Sequence, residues 1–182
     1  MISIDEKYET AHRSLAAVMD SVPAERWTNQ SPCEGWTARD VLWHLIETQR
    51  DFLSGHDIDL GAAPDIEADP AAAWHDHAKR VRAAISDDAV AAMEFDGHFG
   101  PTTVGATLEQ FYVWDMVVHR WDIARAVGAD AGLSDAELDR LESGADRFGA
   151  ALYMDGICLA GVEAPTNAGR EARLLARLGR SA

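Results

Sequence analysis

The sequence predicts an all-α protein, an antiparallel four-helix bundle with an additional short helix near its C-terminal end. Three observations support this fold class. Apolar residues make up 47% of the chain, which is enough to fill the core of one domain spanning all 182 residues. Alanine and leucine are the commonest apolar residues, and apolar residues recur mostly at steps of three and four. The connecting segments differ in length, which is typical of a bundle with a crossover connection.

The first two helices are predicted by apolar stripes between turn-forming residues. A stripe that begins at Ile4 predicts helix one to about Val22, because Pro23 cannot continue it. After the loop "SPCEGW", Thr37 and Asp40 have the spacing of a capping box and predict the start of helix two. The stripe of helix two consists of Val41, Leu42, His44, Leu45, Thr48 and Phe52.

A long polar segment separates helix two from helix three. Residues 54–69 are rich in turn formers, and Asp69 followed by Pro70 is a typical N-cap and first-turn pair. Helix three then carries the apolar residues Trp74, Ala78, Val81 and Ile85. The following segment, "MEFDGHFGPTTVGA", indicates irregular structure with a short extended piece.

The last helices have clear boundaries. Helix four is predicted from near Thr103 to Gly128, because glycine commonly follows the C-terminal end of a helix. Ser134 and Glu137 form a second capping box, which predicts the start of helix five. The segment "GVEAPTNAGREARLLARLGR" predicts a loop and then the short terminal helix.

Charge and cysteine content exclude several classes of function. The formal net charge of −15 would repel phosphate backbones, so nucleic acid is not an expected partner. No apolar run is long enough to cross a membrane, and the first residues lack the apolar core of a signal peptide. Cys33 and Cys158 form no CxxC motif. We therefore expect a cytoplasmic protein in a reducing environment.

Polar residues on two apolar stripes predict the functional site. Asp115 and His119 are four residues apart on the stripe of helix four, so they are neighbours on its inward face. A buried carboxylate is costly unless it is paired or bound to a metal. His44 lies on the stripe of helix two. If the two helices are adjacent, two imidazoles and one carboxylate would hold a divalent metal with open positions, as catalytic sites do.

Simpler interpretations remain open at this point. A single histidine on an apolar face is commonly a hydrogen-bonded core residue, and an Asp-x-x-x-His pair is often only a bond on the helix surface. Arg39 and Arg120 lie near the predicted ligands in sequence and are candidates for binding an anionic thiol cofactor; pairing with acidic residues is the alternative. Asp122 could orient His119, or serve in a cap or salt bridge. Cys33 is a further ligand or nucleophile, or a small buried thiol.

Two motifs resemble a known family. The segments "SPCEGWTARDVLWHL" and "DMVVHRWDIARAVG" resemble the DinB/YfiT-like superfamily, and most closely the metal-binding domain of mycothiol-dependent maleylpyruvate isomerase. The resemblance implies a four-helix bundle whose metal ligands are His44, Asp115 and His119. The isomerase branch has glutamate where this chain has Asp115. The resemblance also implies zinc or nickel as the metal and a thiol such as mycothiol or bacillithiol as cofactor.

These observations lead to one main hypothesis about function. The site would activate a mycothiol-like thiol for transfer to a small electrophile, or for isomerisation of that electrophile. Water in place of the thiol would give a metal-dependent hydrolase, and two imidazoles with one carboxylate also suit iron. The other alternative is a non-catalytic bundle that binds a metal or a ligand. The broad apolar faces also permit a homodimer.

Overall fold

The computed structural model describes residues 2–154 and 157–181 and confirms a mainly helical chain. Its α-helices are α1 (Ile4–Met19), α2 (Ala38–Ser54), α3 (Pro70–Ile85), α4 (Asp88–Ala91), α5 (Val104–Thr107), α6 (Trp114–Val127), α7 (Asp135–Phe148) and α8 (Arg170–Arg177). The other elements are an antiparallel hairpin of β1 (Glu94–Gly97) and β2 (Gly100–Thr103), two 3-10 helices (Ala24–Thr28 and Gly149–Tyr153) and a π-helical segment (Leu108–Val113). None of the described helices has the length and apolar character needed to cross a bilayer.

The predicted helix caps are confirmed. The Thr37 hydroxyl accepts a hydrogen bond from the backbone N–H of Asp40 at 3.2 Å, and the Asp40 carboxylate accepts one from the backbone N–H of Thr37 at 2.8 Å. The Asp69 carboxylate caps α3, and Ser134 with Glu137 forms the capping box of α7. Each cap satisfies backbone donors that the first turn of a helix leaves free. The caps therefore fix where these helices begin.

Two predicted helices differ from the structure. Helix α1 ends at Met19 rather than near Val22, because Asp20 closes the helix and a turn leads to Pro23. The predicted helix four has the expected ends, with Gly128 in a left-handed conformation at φ 71°, but it is not one uniform α-helix. The π-helical segment interrupts it between α5 and α6. A π turn adds a residue to the helical turn and changes which side chains share a face.

Four helices surround the main core. Helix α1 packs against α3 and α6, and α2 packs against the same two helices. The largest fully buried side chains of this core are Trp74, Tyr8, Leu15, Met19, Leu42, Leu45, Ile46, Leu53, Ile85, Leu108 and Met116. Burial of such side chains is the main stabilising contribution to a helical domain. Their antiparallel arrangement as a four-helix bundle stays a prediction.

Helix α6 is covered on a second side as well. Trp114, Val117 and Val118 belong to a separate apolar cluster that includes residues of α7 and α8. As a result, every residue from Met116 to Ala124 is buried. A helix buried nearly all round must pair each polar side chain that it carries. That requirement determines the site described below.

A buried polar network joins the first three helices within the core. The Tyr8 hydroxyl of α1 donates to the side-chain oxygen of Gln49 at 2.7 Å, and Nε2 of His77 on α3 lies 3.1 Å from the same oxygen. His77 is completely buried. Burial, reinforced by the positive charge of Arg50, lowers the pKa of His77 to about 3. His77 is therefore neutral in the folded protein at physiological pH.

We predict that His77 makes folding stability depend on pH. Its folded pKa lies below the ordinary value near 6.5, so the unfolded chain binds the proton more readily. The stability that this difference provides is complete above pH 6.5 and is lost as the pH falls towards 3. Between pH 7 and pH 5 the free energy of unfolding should fall by about 2 kcal/mol from this group alone. Chemical denaturation of the protein and of His77→Gln at both pH values measures it.

The matched control is His75→Gln on the same helix, because His75 is half exposed and bonds Asp20 at 2.8 Å. His75→Gln should keep the pH dependence of the unchanged protein, whereas His77→Gln should lose about 2 kcal/mol of it. Parallel pH profiles for the unchanged protein and His77→Gln would contradict the assignment.

Candidate metal centre

His44, Asp115 and His119 come together between α2 and α6. Nε2 of His44 lies 3.4 Å from Oδ2 of Asp115, and Nε2 of His119 lies 3.3 Å from Oδ1 of the same carboxylate. The two imidazole rings are 5.1 Å apart and nearly perpendicular. Asp115 and His119 meet because they are one turn apart on α6, and His44 meets them because α2 packs against α6. We call these three residues the triad.

The spacing of the triad fits a tetrahedral ion. Zinc bonds to imidazole nitrogen and carboxylate oxygen of about 2.0–2.1 Å place the ligand atoms about 3.3–3.4 Å apart. The two separations have this length, but each runs to a different oxygen of Asp115, so the carboxylate would have to turn for one oxygen to face both imidazoles. One ligand atom from each member of the triad lies within 4.8 Å of those of the other two. The donor set of two nitrogens and one oxygen therefore suits a divalent metal.

A second layer of bonds fixes the orientation of His119. Its Nδ1–H donates to Oδ2 of Asp122 at 2.8 Å, which leaves Nε2 to face the triad. Asp122 is fully buried and also accepts from Arg180, with Nη2 to Oδ2 at 2.8 Å and Nε to Oδ1 at 3.2 Å. A carboxylate behind a histidine ligand is the usual arrangement that sets the tautomer and ring position in metal sites. Asp122 thus takes both the orienting role and the salt-bridge role.

The pKa values of Asp115, Asp122 and His119 are shifted by their surroundings. Burial raises the pKa of Asp115, but the neighbouring imidazoles of His119 and His44 outweigh burial and hold that pKa below its ordinary value. Burial raises the pKa of Asp122 too, yet His119 and Arg180 lower it to about 2. Burial lowers the pKa of His119, while the Asp115 and Asp122 carboxylates raise it well above normal. A bound metal would take the place of the proton on Nε2 of His119.

Cys33 forms a second candidate group with His119 and Asp122. Its Sγ lies 3.4 Å from Oδ2 of Asp122. However, the guanidinium of Arg180 lies 3.8 Å from the same sulfur, and it would repel a cation placed there. Nδ1 of His119, the ring nitrogen on this side, is already bound to Asp122. The triad is therefore the better candidate.

Two cavities reach the triad. The first has a volume of about 520 Å³ and is lined by His44 and Asp115 together with seven aromatic residues, Phe52, Phe95, Phe99, Phe111, Tyr112, Trp114 and Phe148; we call it the aromatic cavity. The second has a volume of about 600 Å³ and is lined by His44 and His119 together with Cys33, Trp36, Cys158 and Arg180; we call it the Arg180 cavity. His44 lines both, so small molecules in the two cavities would meet near the triad.

The two arginines predicted to bind a cofactor lie elsewhere. Arg39 forms an ion pair with Glu67, and Arg120 is buried and binds the Glu137 carboxylate through two bonds of 2.7 and 2.9 Å. Neither arginine is among the described residues that line the two cavities. Arg120 faces α7 because the residue after His119 lies about 100° further around the helix. The geometry supports the alternative interpretation, pairing with acidic residues.

The structure adds residues that the sequence interpretation did not identify. Arg180 follows α8 and is the only arginine among the described residues lining either cavity. Cys158 lines the same cavity, and burial raises the pKa of its thiol despite the nearby Arg180. The sequence contains no pattern that links either residue to the triad. His98, in the turn of the β1–β2 hairpin, also lines the aromatic cavity, whereas the His12 ring lies against those of Trp74 and His75.

Comparison with known proteins identifies one family. The sequence profile of the family described as "Mycothiol maleylpyruvate isomerase N-terminal domain", a DinB-like family, matches residues 8–124. The matched region contains all three members of the triad and also Asp122. No curated protein and no solved structure matches the chain.

We predict that the triad binds one divalent metal. Elemental analysis of protein equilibrated with zinc and then dialysed should find about one equivalent per chain in the unchanged protein. His44→Ala and Asp115→Ala should each weaken binding by roughly a hundredfold or more, because a lost ligand costs at least as much as a lost supporting bond. Cys33→Ala is the control and should keep the metal. Loss of metal in Cys33→Ala, with retention in Asp115→Ala, would move the site to the second group.

We also predict that Asp122 supports the metal site without being a ligand. Asp122→Asn weakens the bond that holds Nδ1 of His119, so zinc affinity should fall by roughly 10- to 100-fold while about one equivalent still binds. Competition against a chromogenic zinc chelator measures the affinity. Asp20→Asn is the matched control, because Asp20 bonds His75 at 2.8 Å on the far side of the core. Equal affinities for the unchanged protein and Asp122→Asn would refute the supporting role.

Proposed function

The chain belongs to the mycothiol maleylpyruvate isomerase N-terminal domain family, and from this premise we propose that it is a divalent-metal-dependent enzyme. It activates a mycothiol-like thiol for transfer to a small electrophile or for isomerisation of that electrophile. The observation that carries the proposal is the meeting of His44, Asp115 and His119 at a point that two cavities reach. Within the same proposal, α1, α2, α3 and α6 form an antiparallel four-helix bundle.

The number of protein ligands supports a catalytic site rather than a structural one. Structural zinc sites usually have four protein ligands, whereas catalytic sites have three and keep a position open. The triad supplies three, and the cavities on which it borders give small molecules access to the remaining position. Cys33, the sulfur donor of the second group, is not a member of the triad and lies 3.8 Å from the Arg180 guanidinium.

The residues around the triad would prepare it for a thiol. Zinc, or nickel or iron in its place, would lower the pKa of a coordinated thiol, so that thiolate is available near neutral pH. Asp122 keeps Nε2 of His119 directed at the triad, and Arg180 keeps Asp122 ionised. The Trp36 ring lies 5.0 Å from that of His44 and limits its movement. All of these contacts are present before a substrate binds.

The two cavities suggest separate routes for the two reactants. We assign the thiol to the Arg180 cavity, whose wall carries a guanidinium and polar groups that suit a hydrophilic cofactor. The electrophile is assigned to the aromatic cavity, whose lining includes Asp115 and His44. In this arrangement the sulfur and the electrophilic carbon would meet beside His44, which lines both cavities. It also places the reaction in a partly dehydrated region of the protein.

We predict that the zinc-loaded protein speeds the reaction of mycothiol with 1-chloro-2,4-dinitrobenzene. In this reaction a carbon–sulfur bond forms, the carbon–chlorine bond breaks, chloride leaves with the electron pair and the thiol proton passes to solvent. The absorbance of the thioether product measures the rate. His44→Ala should lower the rate to that of the uncatalysed reaction, because the metal site is lost.

His75→Ala is the control and should keep the full rate, because His75 bonds Asp20 outside the site. A rate no higher than that without protein, for this electrophile and for maleylpyruvate, would refute thiol activation. Hydrolysis of an ester without any thiol would instead support the hydrolase alternative.

A further inference from the structure

We infer that the aromatic cavity binds an uncharged aromatic electrophile and disfavours substrates that carry carboxylates, such as maleylpyruvate. This inference rests on the proposed function for the identity of the cavity as the electrophile site. It concerns the substrate class, which the family does not determine for this chain. Three observations carry it: the aromatic lining, the distribution of charge, and the connection to the triad.

The aromatic lining is concentrated in this one place. All five phenylalanines of the chain, Phe52, Phe95, Phe99, Phe111 and Phe148, line the cavity together with Tyr112 and Trp114. They do not form a closed core: Phe99 is 54% exposed, and Phe52, Phe95 and Phe111 are partly exposed. Aromatic side chains that remain accessible around a cavity provide stacking and edge-to-face surfaces for a flat ligand.

These side chains form two groups. On one side, the Phe52 ring lies 4.9 Å from that of Tyr112 and 6.0 Å from that of Phe95. On the other side, the Phe111 ring lies parallel to that of Phe99 at 6.1 Å and meets that of Phe148 edge-on at 5.3 Å. Each group therefore already shows the ring geometries that a bound aromatic molecule would extend.

Two irregular elements supply much of this lining. Gln110, Phe111 and Tyr112 are consecutive residues of the π-helical segment, and all three line the cavity. The β1–β2 hairpin adds Phe95 and Phe99. In a regular α-helix, consecutive side chains point about 100° apart, so a wider turn helps three neighbours to face one space. Such π turns occur frequently at functional sites.

The charges disfavour an anionic ligand. Among the described residues that line the aromatic cavity, none is lysine or arginine, and the one carboxylate is Asp115. The only lining groups able to carry positive charge are the imidazoles of His44 and His98. Away from an ion held by the triad, a dianion placed here would lose water without gaining a fixed cation from the cavity wall, and it would face the Asp115 carboxylate. An uncharged aromatic ring has no charge to desolvate and is not repelled by the Asp115 carboxylate.

The size of the cavity and its position agree with this ligand class. A volume of about 520 Å³ lies within the range of small-molecule sites, roughly 300–1,000 Å³. One end of the lining is formed by His44 and Asp115, so a ligand in the cavity would lie next to the proposed reactive centre. The other lining residues are mainly apolar, and Thr48, Thr107 and Gln110 could bond a single polar substituent.

Binding of two probes with the same ring system tests the inference directly. We would titrate the protein as purified, at pH 8, with neutral 2-naphthalenemethanol and with anionic 2-naphthalenesulfonate, a weak metal ligand, and measure binding calorimetrically. The neutral probe should have a Kd at least roughly tenfold lower, because the anion finds no charged partner. No thiol or turnover is involved, so this result is separate from that of the activity test.

Three variants locate the binding site. Phe111→Ala should weaken the neutral probe roughly fivefold, as expected for the loss of one aromatic contact. Leu159→Ala is the control, because Leu159 lines the Arg180 cavity and is exposed, and it should leave binding unchanged. Gln110→Arg should bring the sulfonate to a Kd equal to or below that of the alcohol, because it supplies the missing cation.

Several results would overturn the inference. The first is equal or tighter binding of the sulfonate by the unchanged protein. The second is an affinity for the neutral probe that Leu159→Ala lowers and Phe111→Ala does not, which would place the probe in the Arg180 cavity. The third is the absence of neutral-probe binding up to the solubility limit of the probe.

Discussion

The pairing of buried charge on α6 is the constraint on which the site depends. This helix lies between two apolar clusters, so its polar side chains have little access to water. Asp122 is satisfied by His119 on one side and by Arg180 on the other, and His119 is also held by Asp115. Removing any one of these side chains would leave a buried charge without its partner. Such a loss typically lowers the free energy of unfolding by several kcal/mol. The same bonds leave one imidazole nitrogen directed at the cavities.

The elements outside the four core helices give the site its chemistry. Helix α8 is short, and the residues that follow it place Arg180 in contact with Asp122. These two residues are 58 positions apart in the chain. The hairpin and the π-helical segment supply most of the aromatic cavity. The core helices thus bring the triad together, while irregular elements form much of the cavity wall beside it.

The triad could be predicted from the sequence because its geometry is mostly local. The spacing of Asp115 and His119 fixes their relation on one helix, and His44 interrupts an apolar stripe. The helix caps at Thr37, Asp69 and Ser134 could also be predicted from short sequence motifs. The role of Arg180 could not be predicted, because Asp122 is distant in sequence and no pattern distinguishes Arg180 from the other arginines of the terminal segment. Arg39 and Arg120 were chosen for proximity in sequence, which says little about the face that a side chain occupies.

The aromatic cavity could not be predicted for a different reason. Its side chains come from α2, the hairpin, the π-helical segment, α6 and α7, and only tertiary packing brings them together. The apolar residues around Phe111 also fit a continuous α-helix, so periodicity alone hides the π turn. Phe52 lies on the apolar stripe predicted for helix two, but a stripe does not distinguish a core residue from one that borders a cavity.

X-ray absorption spectroscopy of the zinc-loaded protein tests the central claim most directly. The account predicts only nitrogen and oxygen neighbours at about 2.0–2.1 Å, with the outer-shell pattern of two imidazoles, and no sulfur. Addition of mycothiol should then introduce a single sulfur neighbour at about 2.3 Å. A sulfur neighbour already present without added thiol would place the ion beside Cys33 and contradict the account.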